Sequence, residues 1–197
     1  MRTVLLFFPL MVLACSNPGD DPPMDRHEAR DTTVFTPSAD TLAPPTILVY
    51  GRIKDAETGE GMQRFHIRLQ DALTGALVDS ATVVDDSASY ELELDYGRSY
   101  HLHFSAEGYT TKGLVVDARG IPVMDDDGGF GMHMDVGLLE RLPGMDYRTL
   151  DLPLGRARYV PQDSAMVWDS AYVAERRALL NTLMEEQARV RSRMPKR

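Results

Sequence analysis

The sequence predicts a mainly β chain: an antiparallel β-sandwich, then a β-rich extension and a single C-terminal α-helix. Three observations carry this. Short runs alternate apolar and polar residues with a period of two, turn residues interrupt them at regular spacing, and a helical apolar period enters only near the C-terminus.

The runs begin with Ile47 to Ile53, closed by the turn Asp55-Ala56-Glu57-Thr58-Gly59. Phe65, Ile67 and Leu69 then alternate with His66, Arg68 and Gln70, and Leu77 to Val84 follows Thr74-Gly75. Tyr90, Leu92 and Leu94 alternate with Glu91, Glu93 and Asp95, and Tyr100, Leu102 and Phe104 with His101, His103 and Ser105. Thr111 to Val116 is the next candidate. Successive strand side chains point to opposite faces. Tyr90, Leu92, Leu94, Leu102 and Phe104 are therefore expected inward, and Glu91, Glu93, His101 and His103 in water. Strands so spaced, with no helical pattern between them, indicate an antiparallel sandwich.

Residues 119–168 continue with strand-like pieces at Phe130 to Val136, Arg148 to Leu154 and Ala157 to Tyr159. Asp169 is a candidate cap for a helix from about Ser170 to Ser192. Leu179, Leu180, Leu183, Met184 and Val190 form its narrow apolar stripe. That stripe could pack on the sandwich, or serve as a partner-binding or coiled-coil seam.

Of 197 residues, 43% are hydrophobic and 26% charged, ordinary values for a globular chain with one modest core. The formal net charge of -9 argues against nucleic acid as a partner, since phosphate backbones are held by released counterions and basic side chains. The one basic cluster, Arg189, Arg191, Arg193, Lys196 and Arg197, complements the dipole at a helix C-terminus.

The single cysteine stands at the end of MRTVLLFFPLMVLAC. Arg2 supplies a positive start, the apolar run is too short to span a bilayer, and Ala14 occupies the small-residue cleavage position. Val12-Leu13-Ala14-Cys15 resembles the lipobox of bacterial lipoproteins. The resemblance implies a signal peptide over 1–14 and a diacylglycerol thioether on Cys15, followed by acylation with a fatty acid such as palmitate. Each buried methylene adds about 0.8 kcal/mol, so such an anchor is effectively permanent. Ser16, in place of an Asp that would resemble an inner-membrane retention signal, points to the outer membrane. Residues 15–45 are then the lipidated cysteine and a tether rich in Pro, Asp, Ser and Thr, too poor in apolar residues to offset its ordering entropy.

Within residues 46–118, Gly51-Arg52-Ile53-Lys54-Asp55-Ala56-Glu57-Thr58-Gly59-Glu60-Gly61-Met62 is followed by Tyr90-Glu91-Leu92-Glu93-Leu94, by Gly97-Arg98-Ser99-Tyr100 and by Ala106-Glu107-Gly108-Tyr109. This series resembles a carboxypeptidase regulatory-like domain, which implies a transthyretin-like sandwich of seven strands. Where that family usually has Gly before the Tyr90 strand, this chain reads Asp85-Asp86-Ser87-Ala88-Ser89. The family is an accessory module beside a zinc peptidase, and no His-x-x-Glu metal motif of that enzyme occurs here. Gly129 to Asp135 and Leu152 to Tyr159 resemble an extension that follows this sandwich in some envelope proteins.

Two groups could bind metal. His101 and His103 share a strand face, with His66 a candidate neighbour, but no closed four-ligand spacing exists. Asp125, Asp126 and Asp127 in a Gly-flanked loop offer oxygen ligands suited to calcium without the spaced calcium-loop pattern, so a solvated turn is the simpler expectation. No nucleophile elbow, HExxH or phosphate loop is present. The expectation is a non-enzymatic envelope lipoprotein without a cofactor, held to the membrane through Cys15, whose sandwich binds another envelope protein or a glycan. The alternatives are an accessory subunit of a peptidase or transport complex, and a metal-assisted hydrolase.

Overall fold

The structure, a computed structural model, describes residues 45–123 and 130–194. The expected signal peptide over 1–14, Cys15, the expected tether up to residue 44, the Asp125 to Asp127 loop, Lys196 and Arg197 lie outside them. Residues from Ala43 onward form one unit.

The alternating runs become strands β1 (Thr46–Asp55), β2 (Arg64–Asp71), β3 (Leu77–Val84), β4 (Ser89–Asp95), β5 (Ser99–Ser105) and β6 (Lys112–Asp117). Four more follow: β7 (Phe130–His133), β8 (Val136–Leu138), β9 (Gly155–Val160) and β10 (Ala165–Trp168). The described chain thus has ten strands rather than the seven expected. The smaller sheet runs β4-β1-β7, with β8 continuing the β7 side of β1, and the larger runs β10-β9-β6-β5-β2-β3. Nor is the pairing wholly antiparallel, because β7 and β8 lie parallel to β1, and β9 parallel to β6. Strands of the expected extension therefore complete both sheets.

Apolar residues from both sheets meet in one core. Ile47, Val49 and Leu94 of the smaller sheet join Phe65, Leu102, Phe104 and Val116 of the larger, each fully shielded from solvent. The Tyr90 and Phe104 rings, one from each sheet, lie 5.2 Å apart. The expected inward set is buried except Leu92, which is half-buried, and Glu91 and Glu93 are exposed. Edge strand β3 is exposed along nearly its whole length.

Local chemistry sets the turns. Asp55 Oδ1 accepts from the amides of Glu57 and Thr58 at 2.7 and 2.9 Å, and Asp71 Oδ1 accepts from those of Leu73 and Thr74 at 3.0 and 2.9 Å. The matching Thr-Gly pairs close both turns, with Gly59 and Gly75 at φ 75° and 72°, the left-handed region that favours glycine. Before β4, where the family resemblance leads one to expect glycine, Ala88 itself takes φ 55° and is wholly buried.

The expected strand from Phe130 to Val136 is broken in two. Between the halves Met134 N donates to Tyr50 O at 2.8 Å, and Met134 O accepts from the Tyr90 hydroxyl at 2.6 Å. Asp135 then turns outward to accept from Arg52 N at 3.0 Å and Lys54 Nζ at 2.5 Å. Arg148 to Leu154 is not a strand either. A 3₁₀ turn occupies Arg148–Leu150, with Asp146 accepting from Arg148 N at 3.0 Å, and Pro153 supplies no ladder donor.

The helix α1 (Ser170–Arg193) is capped by Asp169, whose carboxylate accepts from Tyr172 N. It packs on the rest of the unit through Leu183 at its centre, with Leu180 and Met184, against Leu139, Leu150, Met145 and Tyr147. Leu179, expected in the stripe, is 41% exposed, while Arg176 and Gln187 are buried in it. Their polar ends explain the exchange. The Arg176 guanidinium donates to Thr149 O, and Gln187 Nε2 donates to Glu140 O at 2.9 Å. Of the basic cluster, Arg191 bridges Glu57 and Glu140 at 2.6 Å each, so it belongs to the docked face.

Candidate functional site

The outer face of the larger sheet carries the candidate site. The register places His66 opposite Ser105, Arg68 opposite His103 and Gln70 opposite His101, and on the other flank His103 opposite Gly113. His66 further pairs with Thr82 of β3, and its Nδ1 lies 2.9 Å from the threonine hydroxyl. Period-two alternation thus gathers three histidines and an arginine on one face.

His101 and His103 share the expected face but not the expected exposure, since both are half-buried. Their rings lie against each other with centroids 4.0 Å apart, tilted by 37°. The contact exists because Gly113 leaves room on β6: a Cβ there would lie 2.6 Å from His101 Nε2. The Nε2 atoms of both rings are buried without a hydrogen-bond partner. Burial, then the neighbouring His101, then the Arg68 charge push His103 down to about 4. Burial and Arg68 lower His101 in the same direction. Both rings are therefore neutral at physiological pH.

Two clefts open on either side of His103. One, about 390 Å³, lies under the loop that carries Arg141, Met145, Tyr147 and Asp151. The other, about 340 Å³, lies over β2 and β3, lined by His66, Arg68, Ser80 and Thr82. His103 and Thr111 line both clefts, so the two adjoin in one groove. Its first part is built by tertiary contacts. Thr110 N donates to Leu139 O at 2.8 Å and Arg141 N to Gly108 O at 2.7 Å, which pins the start of the loop beside the sheet, and within the loop Tyr147 Oη accepts from Leu142 N at 2.8 Å. Arg148 is paired there with Asp146 at 2.5 Å, and Arg141 donates to Tyr109 O at 3.1 Å.

The sheet does not assemble the candidate histidines into a metal centre, for among the described residues no three of His, Cys, Asp or Glu converge. The sequence did not single out Arg68, Thr111 or the loop residues as site members. The signal available was that polar positions of two separate runs both carry cationic or imidazole side chains. It also missed Lys112, 6% exposed, whose parity matches Leu114 and Val116 and whose ammonium burial pushes down to about 8. Lys112 lines neither cleft.

No known family profile matches the chain, and no curated protein matches it. Among solved structures it aligns with 3-chlorocatechol 1,2-dioxygenase from Rhodococcus opacus at 9% identity and TM-score 0.38, over 52% of this chain and 62% of that one. Catechol 1,2-dioxygenase from Acinetobacter aligns at 16% identity and TM-score 0.39, over 58% and 59%. A protein named S.CueP aligns at 13% identity and TM-score 0.35, over 49% and 63%. This chain thus spans less than two thirds of each, and the superpositions are too partial to bear on its fold or activity.

Proposed function

We propose that the chain is a non-enzymatic, lipid-anchored envelope protein whose β-domain is a binding module, the groove at His103 and Thr111 being its ligand site. The observation that carries this reading is the pair of adjoining clefts on one sheet face, beside a loop pinned at its start. The histidines there support recognition rather than acid–base chemistry. His103 is held neutral by burial, lies against the His101 ring, and meets no carboxylate or hydroxyl at Nε2 among the described residues. The domain is read as a carboxypeptidase regulatory-like sandwich elaborated by strands β7 to β10, a reading supported by the turn chemistry of Asp55 and Asp71.

A photo-crosslinking side chain at Thr111 of the full-length, membrane-bound protein tests this, with Glu93 on the other sheet as the control position. Specific adducts to an envelope component at Thr111 and not at Glu93 are expected. Equal labelling at both positions, or none at Thr111, would overturn the groove as binding site. The anchor is tested separately: Cys15→Ser should abolish incorporation of labelled fatty acid, and persistent incorporation rules out lipidation there.

A further inference from the structure

The two clefts of the groove differ in charge chemistry. Under the loop, Asp146 and Asp151 are present and the Asp146–Arg148 pair satisfies its own cation. Over β2 and β3 the lining contains no Asp or Glu, although the chain as a whole carries a net charge of -9. There the polar side chains are Arg68, the imidazoles of His66 and His103, and the hydroxyls of Ser80, Thr82, Ser105 and Thr111. Among the described residues Arg68 has neither an ion pair nor a hydrogen bond, unlike Arg141 and Arg148 in the adjoining cleft. A guanidinium presents a planar fork that matches the paired oxygens of a carboxylate or phosphate, and hydroxyls rotate to donate to the remaining oxygens. An acid-free cleft with an unengaged arginine at its wall is the complement of an anion.

We propose that the Arg68 end of the groove binds a small oxyanion group, a carboxylate or a phosphate, with Arg68 as its bidentate anchor and the Thr82, Ser80 and Thr111 hydroxyls around it. The proposal rests on the groove being the ligand site, and it names the chemistry that site selects. His66 and His103 flank the anchor and report occupancy. His103, held neutral by burial, lines the cleft without adding a second charge.

The test is titration of the folded protein with inorganic phosphate, D-glucuronate and D-glucose, following the ring resonances of His66 and His103 by NMR. Saturable shifts with phosphate, with glucuronate, or with both are expected, and none with the neutral sugar. Phosphate alone identifies a tetrahedral ligand, glucuronate alone a carboxylate. Arg68 is exposed and its replacement leaves the core intact. Arg68→Gln should weaken binding by at least about tenfold, and Arg68→Lys by less, because it keeps the charge and loses the fork. No saturable shift with either anion at tens of millimolar, or an unchanged affinity in Arg68→Gln, overturns the proposal. Its failure is separable from that of the binding-module reading. Thr111 adducts without anion binding leave the module and remove the anion, whereas anion binding without adducts does the reverse.

Discussion

His101 and His103 stand two residues apart on β5 with their ring centroids 4.0 Å apart and the planes tilted by 37°, and neither Nε2 has a hydrogen-bond partner. Alternation along a strand places them on the same side, but the overlap of the rings needs the bare backbone of Gly113 on the neighbouring strand. Gly113→Ala should therefore displace the His101 ring and disrupt the contact, seen as altered ring-current shifts of both imidazoles. Unchanged shifts would show that the rings do not depend on that glycine.

The same pair makes stability depend on pH. The folded protein holds His103 at about 4 and lowers His101, from an ordinary value of 6.5. Between about pH 6.5 and 4 the unfolded chain therefore binds protons that the folded chain refuses. Stability from this pair falls as pH drops through that window and rises as pH climbs through it. The lowered carboxylates of Asp55, Asp71 and Asp135 act in the same direction, but only below the ordinary value of 3.8. Urea midpoints measured across the window should vary less in the His101→Gln/His103→Gln variant than in the wild type. Identical slopes would sink the assignment.

Gly51 governs how closely β1 approaches the break between β7 and β8. A Cβ at this position would lie 2.1 Å from Met134 O, a backbone atom that also accepts the buried Tyr90 hydroxyl. Gly51→Ala should be severely destabilising, by about 3 kcal/mol or more, because backbone cannot yield as a flexible side chain does. Tyr90→Phe keeps the ring against Phe104 and leaves the carbonyl unsatisfied, for a cost of about 1–3 kcal/mol. Thermal unfolding of the two variants should rank them in that order, and the reverse order would refute the close approach.

Phe104 reports the register of the larger sheet. It is fully buried and its ring lies 5.2 Å from that of Tyr90, tilted by 53°, across the two sheets, so Phe104→Ala should cost about 3–5 kcal/mol through lost burial and a cavity. Glu93→Ala, on an exposed position of β4, should stay within about 0.5 kcal/mol. A slip of one residue in β5 would turn Phe104 to the polar face, and its cost in chemical denaturation would then fall to that of Glu93→Ala.

The helix is expected to be part of the folded unit. Leu183, 5% exposed among Leu139 and Leu150, should cost about 2–5 kcal/mol when truncated to alanine, whereas exposed Leu179 should cost little. Hydrogen exchange along α1 should accelerate in Leu183→Ala and not in Leu179→Ala. Equal protection in both would mean that the helix stands free of the sheets.

The sequence by itself determined the strands β1 to β6, the inward set of Phe104 and Leu94, and the single helix behind Asp169, because a local period decides which side of an element is apolar. It also carried the turn from Asp55 to Gly59 and the break at Thr74-Gly75, while the matching part of Asp71, whose carboxylate like that of Asp55 bonds amides two and three residues away, emerged from the structure. Only the tertiary structure decided the rest. Parallel pairing of β7, β8 and β9 joins segments far apart in the chain, and no local pattern records which strand a later segment will lie beside. The helix stripe held at Leu180, Leu183 and Met184 but was incomplete, for the same reason. Arg176 and Gln187 read as solvent-facing until the carbonyls of Thr149 and Glu140 are brought to them. The groove followed suit: Arg68 and His103 sit at polar positions of two runs, and it is their register, with a loop from residue 141 onward beside them, that turns a polar face into a groove.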